Sequence, residues 1–145
     1  MRGTGTRVAL FVHLIWATWD RLPLLVGSFE RRVHRALEAK CLELNVELLA
    51  LGGVEDHIHL LIQLPATLSL AECVKHLKGA TSHLATHEIA TAQFFKWQGG
   101  YAAFSVGIAQ LAAVQAYVLR QREHHATGYL TPEWELEPSD KGDQP

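Results

Sequence analysis

Runs of apolar residues, and apolar residues in alternation with polar ones, predict five β-strands along the chain. The first is rich in β-branched and aromatic residues, so we expect a strand that is covered on both faces. A tight turn at Gly52-Gly53 separates the second strand from the third, and Gly99-Gly100 separates the last two. The predicted strands are residues 7–18, 46–51, 54–64, 94–98 and 101–106.

Apolar residues that recur every three or four positions predict three helices, because that spacing places them on one helical face. Ser28 and Ser69 stand directly before the first two helices and are suitable N-cap residues. The predicted helices are residues 29–44, 70–89 and 110–124.

The order of these elements is β-α-β-β-α-β, followed by a short strand and a terminal helix. The first six match the split βαβ pattern of ferredoxin-like and RRM-like folds, so we predict an α+β domain with an antiparallel sheet. The third strand is apolar on both faces and should lie centrally, with two helices on one face of the sheet and the Tyr117-bearing terminal helix on the other. We assign this domain to residues 1–130 and expect an acidic, flexible tail over residues 131–145.

The formal net charge of −2 does not by itself indicate a nucleic-acid-binding protein. The charge is uneven, however, because residues 131–145 contain five acids and one base, which leaves twelve bases against ten acids in the body. A body charge of +2 means that any DNA binding would depend on local patches. No stretch approaches the roughly 20 apolar residues of a membrane span, and the N-terminus does not resemble a signal peptide, so we expect a cytoplasmic protein with no membrane partner.

Cys41 and Cys73 are not part of a CxxC pair, which argues against a disulfide framework and against a thiolate zinc site. His57 and His59 are better candidates for chemistry, since they lie two residues apart inside the third predicted strand. Side chains on a strand alternate between faces, so both imidazoles project from one face, about 7 Å apart at the backbone. Two neutral imidazoles at that spacing can share a divalent metal. The pair alone also fits two half-buried histidines bonded to backbone carbonyls.

Tyr117 and Gln121 lie four residues apart on the last predicted helix and therefore share one of its faces. Tyr117 stands at the edge of an apolar stripe, where a tyrosine usually packs with its hydroxyl in water. Gln121 offers an amide oxygen that could complete a His-His-Gln metal site. Taken alone, each of these two residues fits an ordinary structural role better than a functional one.

Considered together and in their order along the chain, the motifs point to a known protein family. The segments DHIHLL at 56–61, WQGGYAAFSV at 97–106 and YVLRQREHH at 117–125 follow one another in that order, after HLIWAT at 13–18. Together they closely resemble the insertion-sequence-200-like single-tyrosine transposases of the HUH type, and among these the REP-associated tyrosine transposases. The resemblance extends over roughly residues 8–128.

The resemblance implies an enzyme that cuts and rejoins hairpin-containing single-stranded DNA. His57 and His59 match the two histidines of the HUH motif and, with Gln121, would hold Mg²⁺ or Mn²⁺. Tyr117 matches the nucleophile, which becomes linked to a 5′-phosphate. That link conserves the phosphodiester energy, so no nucleotide cofactor is expected, and no GxxxxGK loop occurs. The resemblance also implies a homodimer, with active sites built in cis or in trans, and a nucleoid-associated location.

Six further residues are candidates for DNA contact. Two lysines share a face of the second helix and two arginines flank Gln121, so all four could touch phosphates, although solvated helix faces explain them as well. An aromatic residue on each side of Gly99-Gly100 could stack on unpaired bases, or could simply anchor the turn by packing. These candidates are Lys75, Lys78, Arg120, Arg122, Trp97 and Tyr101.

Two other functions are compatible with the sequence. The weak positive charge favours a domesticated DNA-binding protein that keeps the fold and no longer cuts. The HxH pair also fits a small metal-dependent hydrolase that activates a water, with Glu55 as the general base on the His57 face of the strand. In that hydrolase the spacing of Tyr117 and Gln121 would be a coincidence.

Overall fold

The computed structural model describes residues 5–87, 94–128 and 130–136. This part of the chain contains four strands and four α-helices in the order β1-α1-β2-β3-α2-β4-α3-α4. The strands are β1 (Leu10–Ala17), β2 (Glu47–Val54), β3 (His57–Leu64) and β4 (Ala102–Val106). The helices are α1 (Gly27–Glu43), α2 (Leu70–His87), α3 (Leu111–Leu119) and α4 (Gln121–Thr127).

The four strands form one antiparallel sheet in the order β2-β3-β1-β4. The predicted βαββαβ order and α+β class are confirmed, and β3 lies centrally between β2 and β1, as expected. The fourth strand of the sheet is Ala102–Val106, so the prediction of a separate strand over residues 94–98 is wrong. Within residues 94–98, Trp97 forms an isolated β-bridge with Thr18. The Gly99-Gly100 turn follows and leads into β4.

The two faces of the sheet are covered by different helices, as the apolar pattern of β3 predicts. Alternate residues of β3 pack with α1 and α2 in the main hydrophobic core, where Ile58, Leu60 and Ile62 are fully buried. On the opposite face, α3 covers β2 and β3 through a smaller apolar cluster that includes Leu61 and Val118. The side chains of His57 and His59 belong to this second face.

Gly52 and Gly53 lie inside β2, so the predicted turn at these glycines is wrong. The chain reverses instead at Glu55 and Asp56. A Cβ at Gly52 would lie 1.9 Å from the carbonyl oxygen of Val118, which shows that α3 passes over the strand in direct contact with its backbone. Because Gly52 has no side chain, the helix that carries Tyr117 can approach the backbone of β2 closely.

The helix ends agree with the predicted ones at Ser69 and differ at Ser28 and Arg120. Ser69 caps α2 as predicted, since its hydroxyl oxygen accepts a hydrogen bond from the Glu72 amide. Ser28 does not cap α1, which begins one residue earlier at Gly27 without a side-chain cap. The last predicted helix is divided at Arg120 into α3 and α4. No helix in the described ranges is long and apolar enough to cross a membrane.

The segment after α4 returns to the sheet. Pro132–Trp134 forms a short 3₁₀ turn, and Trp134 packs against the apolar cluster beneath α3. The sequence predicts a flexible tail from residue 131, whereas the structure keeps residues 131–136 against the domain. Residues 137–145 lie outside the described residues, and for them the flexible tail stays a prediction.

Candidate metal and nucleophile site

His57 and His59 form the centre of the site on the α3 face of β3. Their residues are only 1% and 0% exposed, and their ring centroids are 5.1 Å apart. The Nε2 atoms of both rings are buried and have no hydrogen-bond partner within the described ranges. A buried polar nitrogen without a partner is costly, so these two atoms point to a missing ligand. The backbone-carbonyl role that the sequence also allowed does not apply to them.

The other nitrogen of each ring is held by a neighbouring side chain. His57 Nδ1 is 2.7 Å from Asp56 Oδ1, and the second oxygen of that carboxylate accepts from Arg21 Nε at 3.2 Å. His59 Nδ1 is 2.8 Å from Nε2 of His13, a fully buried residue of β1. When Nδ1 carries the proton, each Nε2 keeps a free lone pair. Histidines that bind metals in proteins are oriented in this way.

The protonation of the two rings follows from their surroundings. Burial lowers the pKa of His59 to about 4 against the opposing effect of the Glu135 carboxylate, so the ring is neutral at pH 7. Burial also lowers the pKa of His13 to about 3. Burial acts in the same direction on His57, but its contacts with Asp56 and Glu135 outweigh it and raise the pKa of that ring.

Tyr117 lies on α3 directly above this pair, with its ring centroid 6.1 Å from that of His59. Its hydroxyl donates a hydrogen bond to Oε2 of Glu135 and accepts one from the Thr131 amide at 3.1 Å. Trp134 packs edge-on against the ring, and Tyr117 is only 4% exposed. Burial and the nearby carboxylate raise the pKa of the hydroxyl well above its usual range. Tyr117 is therefore protonated and shielded in this conformation.

Gln121 is brought to the same site because the helix breaks at Arg120. The first residue of α4 is buried, with 1% exposure, rather than solvated. Its Nε2 donates to the Tyr117 carbonyl at 3.0 Å, and its Oε1 lies 3.1 Å from Nε2 of His125. The oxygen of the predicted third ligand is thus engaged with His125, whose ring centroid is 4.7 Å from that of His57.

Sequence reasoning missed three residues of the site. His13 carries a recognisable signal, because it lies two residues before Ile15, the residue that pairs with His59 in the sheet. His125 lies four residues after Gln121 and so one helical turn further along the same face of α4. Glu135 gave no signal, because it lies in the segment predicted to be a flexible tail. Glu55, the predicted base of a hydrolase, is an exposed turn residue outside both strands, so that expectation is wrong.

The donor set fits a divalent metal. One ligand atom from each of four residues lies within 4.8 Å of all the others, and the buried Nε2 atoms of His57 and His59 are among them. Neutral imidazole nitrogens and a carboxylate oxygen are common ligands of divalent ions. The four residues are His57, His59, His125 and Glu135.

Comparison with known proteins identifies the family. The family model described as "Transposase IS200 like" matches residues 6–121. The chain belongs to the IS200-like transposases. The transposase for insertion sequence element IS200 of Salmonella typhimurium is 28% identical over 121 residues, which is 80% of this chain and 79% of that protein. The ISDra2 transposase TnpA of Deinococcus radiodurans is 30% identical over 81 residues, 56% of this chain and 58% of that protein.

Two solved structures share the fold of this transposase. A crystal structure of a Deinococcus radiodurans protein assigned to the transposases has a TM-score of 0.64 and 27% identity, covering 83% of this chain and 97% of that one. A REP-associated tyrosine transposase bound to a REP hairpin has a TM-score of 0.64 and 12% identity, covering 90% of this chain and 76% of that one. The second likeness shows the fold alone.

The residues suggested for DNA contact occupy different environments in this transposase. Lys78 Nζ donates to the carbonyls of Gln98 and Gly100 at 2.8 and 3.1 Å, which ties α2 to the turn before β4. Lys75 and Arg120 are exposed. Arg122 forms an ion pair with Glu30 of α1 at 2.6 Å, with 61% of its side chain exposed.

The two aromatic candidates for base stacking, Tyr101 and Trp97, also differ in how deeply they are buried. Tyr101 is 40% exposed, so its side chain is accessible to solvent. Trp97 is 5% exposed, donates from Nε1 to the Thr81 hydroxyl at 2.7 Å and packs edge-on against Trp16. The expectation of base stacking is wrong for Trp97 in this conformation, because its ring belongs to the hydrophobic core. The alternative role, a packing anchor before the Gly99-Gly100 turn, fits it instead.

Proposed function

We propose that this transposase cleaves and rejoins hairpin-containing single-stranded DNA through a 5′-phosphotyrosine on Tyr117, with a divalent metal at His57 and His59. One observation carries the proposal. The Tyr117 hydroxyl and the two unpartnered Nε2 atoms converge on a single group, the Glu135 carboxylate. A nucleophile and two free metal ligands that face the same point are the components that phosphodiester attack needs.

The role of Tyr117 is to exchange one phosphate ester for another. Its oxygen attacks the phosphorus, the bond from phosphorus to the 3′ oxygen breaks, and the DNA 5′-phosphate becomes linked to the tyrosine. The hydroxyl loses its proton and the departing 3′ oxygen gains one, so the step is balanced. In the reverse direction a 3′ hydroxyl attacks the phosphotyrosine and rejoins the strand. Because Tyr117 is shielded, residues 130–136 must move before DNA reaches it.

His57 and His59 would hold Mg²⁺ or Mn²⁺ through their Nε2 atoms, and Gln121 is the third ligand that the family resemblance suggests. The bound ion would polarise the scissile phosphate and stabilise the charge that develops on it. Asp56 and His13 keep the two rings in the orientation that turns Nε2 towards the site. Gln121 must turn away from His125 before its oxygen can serve as a ligand.

The DNA partner is proposed from the fold neighbour and from the charges around the site. The REP-associated tyrosine transposase of the same fold is bound to a REP hairpin. In this chain an open cleft of about 340 Å³ beside His125 is bordered by Arg21 and Arg122. We assign phosphate contacts to these arginines, Arg120 and Lys75, and base stacking to Tyr101. DNA of this kind would place the protein at the nucleoid.

A labelled hairpin oligonucleotide with single-stranded flanks tests the proposal. The wild-type protein with Mn²⁺ should form a band that survives denaturation and runs as a protein–DNA adduct. Tyr117→Phe removes only the hydroxyl and should abolish that band while hairpin binding persists, because the proposed DNA contacts lie elsewhere. Tyr101→Phe, which removes a hydroxyl from an exposed tyrosine, is the matched control and should still form the adduct.

The other outcomes distinguish the alternatives. Binding without an adduct would favour the domesticated DNA-binding protein. Cleavage without an adduct would favour a metal-dependent hydrolase, with a water as the nucleophile. An adduct that forms equally well in Tyr117→Phe would contradict the assignment of the nucleophile.

The homodimer is a further proposal, which light scattering at micromolar concentration tests. Tyr117 meets His57 and His59 of its own chain, and the same residues of two chains could form an equivalent site in trans. If the sites are built in cis, mixing Tyr117→Phe with His57→Ala protein should leave cleavage undetectable, because every site lacks one component. Recovery of cleavage on mixing would show that the sites are built in trans.

A further inference from the structure

Two residues that the family resemblance does not place among the metal ligands, His125 and Glu135, lie close to His57 and His59. The Oε1 atom of Glu135 is 3.3 Å from Nε2 of His59, 3.6 Å from Nε2 of His57 and 3.5 Å from Nε2 of His125. One carboxylate oxygen therefore faces three imidazole nitrogens at nearly equal distances. Three different elements meet here, namely β3, α4 and the segment after α4.

The three contacts of Glu135 have the spacing of ligands around one metal ion, and all four ligand atoms of the cluster lie within 4.8 Å of one another. N–H···O hydrogen bonds usually span about 2.7–3.2 Å, and all three contacts are longer. Nitrogen and oxygen ligands about 2.0–2.1 Å from one tetrahedral ion lie about 3.3–3.4 Å from each other. The observed range of 3.3–3.6 Å is close to that separation.

The charges in the cluster point the same way. The Nδ1 atoms of His57 and His59 are bonded to Asp56 and His13, so Nε2 of each ring is the atom that faces the site. The Glu135 side chain is 12% exposed, and Oε1 of its carboxylate faces both nitrogens. A buried carboxylate is costly unless a cation or hydrogen-bond donors lie beside it, and a metal ion held by the imidazole nitrogens would supply the cation.

His125 is available to the same ion. Its Nε2 atom lies within the four-ligand cluster and 3.1 Å from Oε1 of Gln121. That hydrogen bond holds the ring beside the histidine pair. A metal cation can replace the proton that lies between His125 Nε2 and the Gln121 amide oxygen. The His125 ring then remains in position as a metal ligand.

We propose that His125 and Glu135 are metal ligands, so that the DNA-free protein holds its ion in a three-histidine, one-carboxylate site. This inference rests on the proposed function and extends its ligand set. It also specifies the class of metal. Three imidazoles favour transition ions such as Zn²⁺, Co²⁺ or Mn²⁺, whereas Mg²⁺ prefers oxygen ligands and retains its water.

Titration of the DNA-free, full-length protein with Co²⁺ tests the site without any activity measurement. A tetrahedral nitrogen and oxygen site gives Co²⁺ an intense visible absorption, which Zn²⁺ should remove by competition and excess Mg²⁺ should not. His125→Ala and Glu135→Gln should each weaken Co²⁺ binding by about 10-fold or more and reduce the absorption. Matched controls are His76→Ala, on the exposed face of α2, and Glu133→Gln, two residues before Glu135. Both should bind as the wild type does.

The two variants lie on different elements, and circular dichroism checks that each one folds. Wild-type affinity in both His125→Ala and Glu135→Gln, with binding lost in His57→Ala, would overturn the inference and leave the proposed function intact. Equal competition by Mg²⁺ would also overturn it. Unchanged binding in His57→Ala and His59→Ala would contradict the metal site of the proposed function itself.

Discussion

The two faces of strand β3 show how one short segment serves both stability and chemistry. Towards α1 and α2 it presents Ile58, Leu60 and Ile62, which are fully buried among other apolar side chains. Towards α3 it presents His57 and His59, which are equally buried, but their Nε2 atoms make no hydrogen bond within the described ranges and face the Glu135 carboxylate at 3.6 and 3.3 Å. The faces differ in whether the buried groups are satisfied, and not in how deeply they are buried.

This difference distinguishes the residues of β3 that stabilise the fold from those that form the candidate metal site. Complete burial of a large aliphatic side chain stabilises a protein by about 1.5–3 kcal/mol. A buried polar nitrogen without a partner has the opposite effect, about 1–3 kcal/mol of destabilisation. The α1–α2 face, with the larger apolar core, therefore contributes more to the free energy of folding, and the α3 face combines a smaller apolar cluster with the polar nitrogens of the site.

The largest effect on stability should come from the α1–α2 face. Leu60→Ala leaves a cavity in the main core and should lower the free energy of unfolding by about 2–5 kcal/mol. His59→Ala, the neighbouring position on the other face, should cost less, because the Nε2 atom that it removes makes no hydrogen bond among the described residues, although His13 Nε2 loses its partner. Urea unfolding of both variants in the absence of metal measures the contrast. Equal losses would show that the two faces contribute alike to stability.

Gly52→Ala should damage the site through the packing of α3. The added Cβ would lie 1.9 Å from the Val118 carbonyl oxygen, so α3 must shift away from the sheet and carry Tyr117 with it. We expect about 1–3 kcal/mol of destabilisation and a strong loss of the DNA adduct. Gly79→Ala is the matched control, since a Cβ there meets nothing within 4 Å. It should stabilise α2 slightly, by up to about 1 kcal/mol. An unaffected adduct in Gly52→Ala would contradict this account.

His13→Leu should separate function from stability. It removes the nitrogen that holds His59 Nδ1, and it also removes a buried Nδ1 atom that has no partner among the described residues. We therefore expect Co²⁺ binding to weaken by about 10–100-fold, with unfolding stability nearly unchanged, because one unpartnered buried nitrogen is removed while His59 Nδ1 loses its own partner. Metal titration and urea unfolding of the same sample measure both effects. Undiminished metal affinity would show that His13 does not position His59.

The contrast between the two faces could be predicted from the sequence because it depends on local rules. Alternation along β3 places His57 and His59 on one face, and the spacing of Tyr117 and Gln121 places both on one side of a helix. The central position of β3 and the helices on both sides followed from the same pattern. The family resemblance then gave each of the four residues a role.

The parts that could not be predicted depend on contacts between distant segments. Gly52 and Gly53 resemble a turn in sequence, and only the passage of α3 over β2 explains them as strand residues. Glu135 lies in a stretch whose acidic composition indicates a flexible tail, yet it reaches histidines that are more than 70 residues earlier. Trp97 resembles a surface aromatic beside a glycine turn, and its burial becomes evident only when β1 and α2 are in place.

The central claim is that Tyr117 is the residue that the DNA attaches to, at a site on the α3 face of β3. Mass spectrometry of the trapped adduct after proteolysis tests it most directly, because it identifies the modified residue and the chemistry of the link. The account predicts a nucleotide joined through its 5′-phosphate to the peptide that contains Tyr117. A nucleotide on any other residue, or a 3′-phosphate link, would contradict it.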